Sequence, residues 1–275
     1  MTYKTILVHI DDSRYSEART AFSLDLALKH DAHVIGLYIV CQNLFRPLLK
    51  HDVGLNLAKL EALGAEQMQR AREQFTAAAQ RAGCPFEWRA PAGPAVEATV
   101  LHARHADLVV LGQQDPDDKM SFIARDFVED VVMNSGRPVL VLPYAGLTPS
   151  FGRNVMVAWD GGRESARALA DALPVLKHAS FITVCVVEKH SDREALAGFD
   201  VSGYLERHRI RAAFASIPRV SGSSTGATLL NRLTDTHADL LVMGAYGHTR
   251  ATEHALGGVT RTLLETMTVP VLMSH

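Results

Sequence analysis

Apolar residues occur along this chain in short runs, which alternate with longer stretches where apolar positions recur at helical spacing. The run 108–111 reads Leu-Val-Val-Leu and is apolar on both faces, as is typical of a strand covered by helices on each side. In the first half of the chain the pattern predicts strands near 4–10, 33–40, 86–90, 107–112 and 138–142, and helices over 15–30, 48–82, 94–104 and 121–135. This alternation indicates βαβ crossovers and therefore a parallel sheet.

The chain also contains an internal repeat. Residues 105–112 read His-Ala-Asp-Leu-Val-Val-Leu-Gly, and residues 237–244 read His-Ala-Asp-Leu-Leu-Val-Met-Gly, at an offset of 132. The opening runs 4–11 and 153–160 correspond at an offset of 149, so the second copy is 17 residues shorter in its middle. Two copies of one supersecondary pattern indicate two similar domains.

The second copy repeats the strand pattern of the first. It predicts strands near 154–159, 180–187, 210–217, 239–244 and 269–273. We expect domains at 1–147 and 148–275, joined by a short connection rich in proline and glycine. The last strand of each copy is short and apolar, and an unpaired apolar edge favours aggregation. We therefore expect 138–142 and 269–273 to pair across an approximate two-fold axis.

The long stretch 55–82 has apolar residues at helical steps, which predicts a helix with one apolar stripe. We expect this stripe to pack on the core. Its members are Leu57, Leu60, Leu63, Met68, Ala71, Phe75 and Ala78.

Composition narrows the function classes. The 275 residues are 47% hydrophobic with a formal net charge of −2, so a buried core is expected and nucleic acid is not an expected partner. No apolar run approaches the roughly 20 residues of a membrane span, so no membrane partner is expected. Cys41, Cys84 and Cys185 form no Cys-x-x-Cys pair, which favours buried, reduced cysteines in a cytoplasmic protein.

A glycine-rich segment follows the fourth strand of the second copy. Gly244 and Gly247 are followed by Gly257 and Gly258, which precede a predicted helix over 260–268. Glycines let the backbone approach a ligand closely, and N–H groups in front of a helix N-terminus bind phosphate. The alternative is that these glycines are ordinary turn and cap residues.

The spacing Gly-x2-Gly-x9-Gly after a strand resembles the ATP-binding motif of the universal stress protein family. The other parts of the chain that carry the resemblance are the opening strands 6–11 and 155–160, Ser16, Ser165, the fourth strand 237–244 and the last strand 269–272. Two such domains would cover essentially the whole chain. The resemblance implies an α/β protein with two doubly wound, five-stranded parallel-sheet (Rossmann-like) domains in tandem, related by a pseudo-two-fold axis.

The resemblance further implies an adenine nucleotide in the second domain, with Asp160 at the adenosine and the backbone of Val186 at the adenine edge. The glycines, the amide of Val259 and the hydroxyl of Thr260 would surround the phosphates. The implied nucleotide-binding residues are Ala158, Trp159, Asp160, Val186, Met243, Gly244, Gly247, His248, Gly257, Gly258, Val259 and Thr260. The family motif has Ser or Thr where this chain has Gly258, so one hydroxyl donor is lost.

The first copy departs from the motif after Gly112. At the offset of 132, Asp115 replaces Gly247 and Asp126 replaces Gly258, and Pro116 lacks an N–H donor. Carboxylates repel phosphate, so we expect one nucleotide per chain, in the second copy. The acidic turn 115–118 is either a solvated turn or a site for a cation such as Mg²⁺.

Three functions follow as alternatives. The first is a regulatory stress-response protein that binds ATP or ADP, with or without Mg²⁺, as an intramolecular pseudo-dimer, with a homodimer of such chains left open. The second is a slow ATPase or nucleotidyl-transfer enzyme using the same pocket, and the third is an interaction module that does not bind nucleotide. The loop 160–165 also resembles that of PP-loop ATP pyrophosphatases, with Asp in place of its first Ser. No general base stands at an obvious position for an attacking water, and in the second copy Asp160 is the one carboxylate that follows an apolar strand, which favours binding over turnover.

Overall fold

Strands and helices alternate through the computed structural model, which describes residues 2–40, 57–118, 126–146, 150–187, 201–217, 224–247 and 258–275. The strands are β1 (Thr5–Ile10), β2 (His33–Tyr38), β3 (Phe86–Arg89), β4 (Leu108–Gly112), β5 (Val139–Leu142), β6 (Asn154–Ala158), β7 (Phe181–Val187), β8 (Ala213–Ile217), β9 (Leu240–Gly244) and β10 (Val271–Ser274). The helices are α1 (Ser16–His30), α2 (Leu57–Ala82), α3 (Ala95–Ala103), α4 (Phe127–Asn134), α5 (Arg163–Leu176), α6 (Val201–Arg207), α7 (Thr225–Asp235) and α8 (Gly258–Thr266). The predicted mixed α/β fold is confirmed, and every predicted strand is present to within three residues at each end.

Contacts divide the chain into two compact units, residues 2–137 and 138–275. In the N-terminal unit the strands lie in the order β3-β2-β1-β4, and all are parallel. In the C-terminal unit the order is β5-β10-β9-β6-β7-β8. Its strands β8, β7, β6 and β9 repeat the order of the first unit. The strand order reverses between β6 and β9, and open parallel sheets bind ligands in a crevice at the carboxyl ends of the strands at such a point.

The last strands of the two copies pair with each other, as predicted. Strand β5 runs antiparallel to β10, with Val141 opposite Val271 and Val139 opposite Met273. All four side chains are fully buried. The pairing removes two apolar edges, and it places β5 in the C-terminal unit.

An aspartate in each copy of the His-Ala-Asp repeat fastens the start of the first strand of its unit. Asp107 accepts hydrogen bonds from the backbone N–H groups of Lys4 (2.8 Å) and Thr5 (3.0 Å). Asp239 accepts them from Arg153 (3.2 Å) and Asn154 (3.1 Å). The aspartate of each repeat therefore fixes the start of the first strand, at the end of the sheet opposite the crevice.

Helix α2 corrects one prediction. Ala71 and Phe75 are buried, but Leu63 and Met68 are 54% and 37% exposed, so the apolar stripe packs on the core only along the second half of the helix. Twenty-six residues of helix span about 39 Å, whereas the six and four residues of β2 and β3 span about 20 and 13 Å. The helix is longer than the strands that it covers. The predicted part 48–56 lies outside the described residues.

The structure bears on the predictions for the cysteines and for a membrane span. Cys84 and Cys185 are free and buried, as predicted, and Cys41 lies outside the described residues. Within the described part of the chain, no helix combines the length and apolar character that crossing a bilayer requires.

Gly36 on β2 provides a test of the packing under α2. A Cβ built there would lie 2.7 Å from the ring of Phe75, a fully buried side chain. Gly36→Ala must displace this ring and should lower the free energy of unfolding by about 1–3 kcal/mol. Denaturant unfolding of the full chain measures the change.

Gly64→Ala is the matched control, because Gly64 lies in the exposed part of α2 and no described atom comes within 4 Å of a Cβ there. It should raise stability by about 0.5–1 kcal/mol through helix propensity alone. Equal effects of the two substitutions would contradict the packing described here.

Candidate functional site

The crevice of the C-terminal unit begins at the turn from β6 to α5. Asp160 is exposed at the end of the strand, and its Oδ1 accepts a hydrogen bond from the Gly162 N–H at 2.9 Å. Ser165 donates from its hydroxyl to the Gly162 carbonyl at 2.9 Å. Gly161 has a φ of +76°, a conformation that a side chain strains. These contacts hold the Asp160 carboxylate at the mouth of the crevice.

Gly244, at the end of β9, is required by the fold itself. A Cβ there would lie 2.5 Å from the Ser165 N atom and 2.6 Å from the Glu164 carbonyl carbon, which belong to the first turn of α5. Backbone atoms cannot move aside as a flexible side chain can. A substitution at Gly244 would therefore disturb the packing of strand against helix, whatever it does to a ligand.

Gly247 directly follows Tyr246, which has a φ of +58°. Gly247 is exposed, and a Cβ there would lie 2.8 Å from Oε2 of Glu164. The Glu164 side chain is 9% exposed, and its Oε1 accepts hydrogen bonds from Arg163 at 3.0 and 2.8 Å. A carboxylate that the sequence did not indicate therefore lies against the glycine turn.

Helix α8 supplies the other wall of the predicted phosphate site. Gly258 is exposed, and among the described residues nothing lies within 4 Å of a Cβ built there. Thr260 is buried and its hydroxyl accepts a weak hydrogen bond from the Tyr246 N–H at 3.4 Å. Thr260 therefore ties α8 to the glycine turn, and Gly258 leaves open space for a ligand.

The other predicted residues lie on the three strands that form the floor of the crevice. Ala158 on β6 is in register with Met243 on β9, and Val186 lies on the neighbouring strand β7. Trp159 is buried and donates its N–H to the Cys185 carbonyl at 2.8 Å. His248 and Gly257 lie outside the described residues, so their contribution stays a prediction.

The matching crevice of the N-terminal unit is filled by its own side chains. Arg19, which corresponds to Ala168 of the second copy, is buried beneath Gly112, where a Cβ would collide with its guanidinium. It donates from Nε to the His9 carbonyl at 2.6 Å and from Nη2 to Asp11 Oδ1 at 2.7 Å. The space that remains has a volume of about 20 Å³, which is room for one water molecule and far below that of a nucleotide site.

The acidic turn of the first copy closes the mouth of this crevice. Asp115 has a side chain that is only 3% exposed and forms an ion pair with Arg14. Tyr15 hydrogen-bonds the same carboxylate, and the Arg14 N–H donates to Asp118 Oδ2 at 3.0 Å. The prediction of a solvated turn is therefore wrong for Asp115. Among the described residues, no group of three or more His, Cys, Asp or Glu side chains could hold a metal ion.

Sequence reasoning missed Arg19, Tyr15 and Glu164. The sequence did contain a signal for Arg19. At the offset of 149, this arginine aligns with Ala168, and both occupy a core-facing position of the predicted helix. Tyr15 and Glu164 occupy one aligned position, directly before Ser16 and Ser165. No sequence pattern indicates that this position faces the glycine turn, because the contact joins two distant segments.

Burial and ion pairing shift the pKa values of the groups that fill the N-terminal crevice. Burial lowers the pKa of His9 from 6.5 to about 4, against the opposing effect of Asp11. Burial raises the pKa of Asp11, but Arg19 and His9 outweigh it, and the pKa falls from 3.8 to about 2. His9 is therefore neutral in the folded protein near neutral pH, and Asp11 is charged.

The His9 pKa predicts a pH dependence of stability. Because the folded pKa lies below the unfolded value, the stabilisation is complete above about pH 6.5 and is lost as the pH falls towards 4. Between pH 7 and pH 5 this group should cost about 2 kcal/mol in the free energy of unfolding. His9→Gln should remove that loss in denaturant titrations at the two pH values. His33→Gln, at a half-buried position on β2, is the control and should retain it.

Comparison with known proteins gives the family. The model of the universal stress protein family matches residues 2–143 and again 152–275. No curated protein sequence matches the chain significantly.

Solved structures agree on the fold. A universal stress protein from Archaeoglobus fulgidus DSM 4304 has a TM-score of 0.76 at 17% identity, covering 98% of this chain and 95% of that one. A functionally unknown protein from Pseudomonas aeruginosa PAO1 has a TM-score of 0.60 at 15% identity, covering 99% and 92%. With the family model matched on both halves, the chain belongs to the universal stress protein family.

Proposed function

We propose that this protein binds one adenine nucleotide in its C-terminal half and acts as a regulatory protein of the stress response. The proposed site comprises the ends of β6, β7 and β9, the Gly244–Gly247 turn and the start of α8. ATP or ADP, with or without Mg²⁺, is the proposed ligand. Slow hydrolysis of ATP in the same site is the second candidate, because the Glu164 carboxylate lies beside the turn and could act as a general base.

The contrast between the two crevices carries the proposal. In the N-terminal unit, Arg19 and the pair of Arg14 with Asp115 occupy the space at the ends of β1 and β4. In the C-terminal unit the corresponding positions hold Ala168 and Gly247, and Asp160 and Gly258 are exposed. Among the described residues, large charged side chains therefore occupy this position in one unit, and small residues hold it in the other.

The residues of the C-terminal crevice fit a phosphate-bearing ligand in two respects. The Gly247 and Val259 N–H groups belong to a turn and to the first residues of a helix, which are the backbone donors that phosphates use. No described atom lies within 4 Å of a Cβ at Gly258, so the described residues leave the start of α8 accessible to a ligand. The Glu164 carboxylate opposes the fit, because it repels a phosphate brought to Gly247.

Stoichiometry tests the proposal directly. Calorimetric titration of the full chain with ATP, ADP and adenosine should saturate at one ligand per chain. Gly247→Asp, which copies Asp115 of the first unit, should weaken binding of the nucleotides at least tenfold, because it adds a second carboxylate beside Glu164. Gly64→Asp, the same change on the exposed part of α2, should leave binding unchanged.

Two sites of similar affinity, or binding that survives Gly247→Asp, would overturn the assignment to the C-terminal unit. Absence of binding by all three ligands would favour the interaction module instead. Phosphate release measured in the same samples separates binding from slow hydrolysis of ATP.

Gly258→Ser tests the wall formed by α8. The substitution places a hydroxyl in open space at the position where the family motif has Ser or Thr. A hydrogen bond to a charged acceptor contributes about 1.5–3 kcal/mol, so ATP should bind more than about tenfold tighter. Gly258→Ala supplies the Cβ without the hydroxyl and should give no such gain. An equal gain in both variants would show that backbone stiffening, rather than the hydroxyl, is responsible.

A further inference from the structure

The Glu164 side chain lies along the two glycines of the proposed phosphate site. Its Cβ lies 2.8 Å from the position of a Cβ on Gly244, and its Oε2 lies 2.8 Å from that of a Cβ on Gly247. The side chain is 9% exposed, so water screens its charge poorly. The carboxylate therefore occupies the place where a phosphate would meet the glycine turn.

Among the described contacts, this carboxylate pairs with Arg163 through one of its two oxygens. Arg163 bonds Oε1, whereas Oε2 is the oxygen that faces Gly247. The Arg163 side chain is 81% exposed, and an exposed ion pair is weakened by solvent. The carboxylate oxygen that Arg163 does not bond is therefore the one that faces the turn.

In the first unit, Tyr15 takes the place of Glu164 and also contacts the turn after the fourth strand. Tyr15 corresponds to Glu164, and it hydrogen-bonds Asp115, which corresponds to Gly247. Both units therefore bring the residue before the helix serine against the same point of the turn. In the first unit the contact is a hydrogen bond to a carboxylate, and in the second it sets a carboxylate against a glycine.

We propose that Glu164 sets the ligand preference of the C-terminal site by charge, so that adenine ligands with little negative charge at the glycine turn bind in preference to ATP. This inference rests on the proposed nucleotide site. Two like charges about 4 Å apart in a partly buried site repel strongly, and the penalty rises with each phosphate charge brought to Gly247. The class of ligand favoured is an adenine nucleoside or a nucleotide of low charge.

Charge removal at one atom tests this inference. Glu164→Gln keeps the shape of the side chain, and it should raise the affinity for ATP about tenfold or more while leaving that for adenosine within about twofold. Glu164→Asp keeps the charge and should retain the low ratio of ATP to adenosine affinity. Glu206→Gln is the matched control, since Glu206 is exposed on α6 and should change neither affinity.

Affinities come from calorimetric titration with adenosine and ATP in chelator, at low and high salt, and unfolding curves check the stability of each variant. The expected gain in ATP affinity shrinks at high salt. Two results would overturn the inference if adenosine still binds. One is an unchanged ratio of ATP to adenosine affinity in Glu164→Gln, and the other is an equal rise of that ratio in Glu164→Asp. Failure of the parent and of Glu164→Gln to bind either ligand would overturn the proposed function together with it.

Discussion

The fourth strand of each repeat ends in a glycine whose missing side chain leaves room for a different neighbour in each unit. In the C-terminal unit the backbone of the first turn of α5 packs directly against Gly244, and in the N-terminal unit the guanidinium of Arg19 lies against Gly112. Both contacts place the helix that follows the first strand at the carboxyl end of the sheet. The position of each crevice follows from this close packing.

The two crevices diverge because buried charge must be paired. Arg19 is held by Asp11 and a backbone carbonyl, and Asp115 is held by Arg14, so the N-terminal crevice satisfies its own charges. A buried charge without such partners is strongly destabilising. Removing Arg19 would leave the buried Asp11 without this partner, and removing Arg14 would do the same to the buried Asp115. The C-terminal crevice has a small residue at Ala168, and among the described residues that border it Glu164 is a buried charge.

Strand pairing and element length explain the other features of the fold. The antiparallel pair of β5 and β10 ends the exposure of two apolar edges, and the aspartates at 107 and 239 fix where β1 and β6 begin. Helix α2 extends past its strands because its 26 residues exceed their reach. The exposure of Leu63 results from that mismatch rather than from any change in the helical pattern.

The amino-acid sequence by itself determined the elements, their alternation, the repeat and the family, because these depend on local periodicity and on residues close together in the chain. It also indicated that the glycine turn of the second copy differs from the acidic turn of the first. Only the tertiary structure decided what faces those turns: Arg19 beneath Gly112, Tyr15 against Asp115, and Glu164 along Gly244 and Gly247. Each of these contacts joins segments about 80–100 residues apart, and a side chain's direction across such a gap is set by packing rather than by sequence pattern.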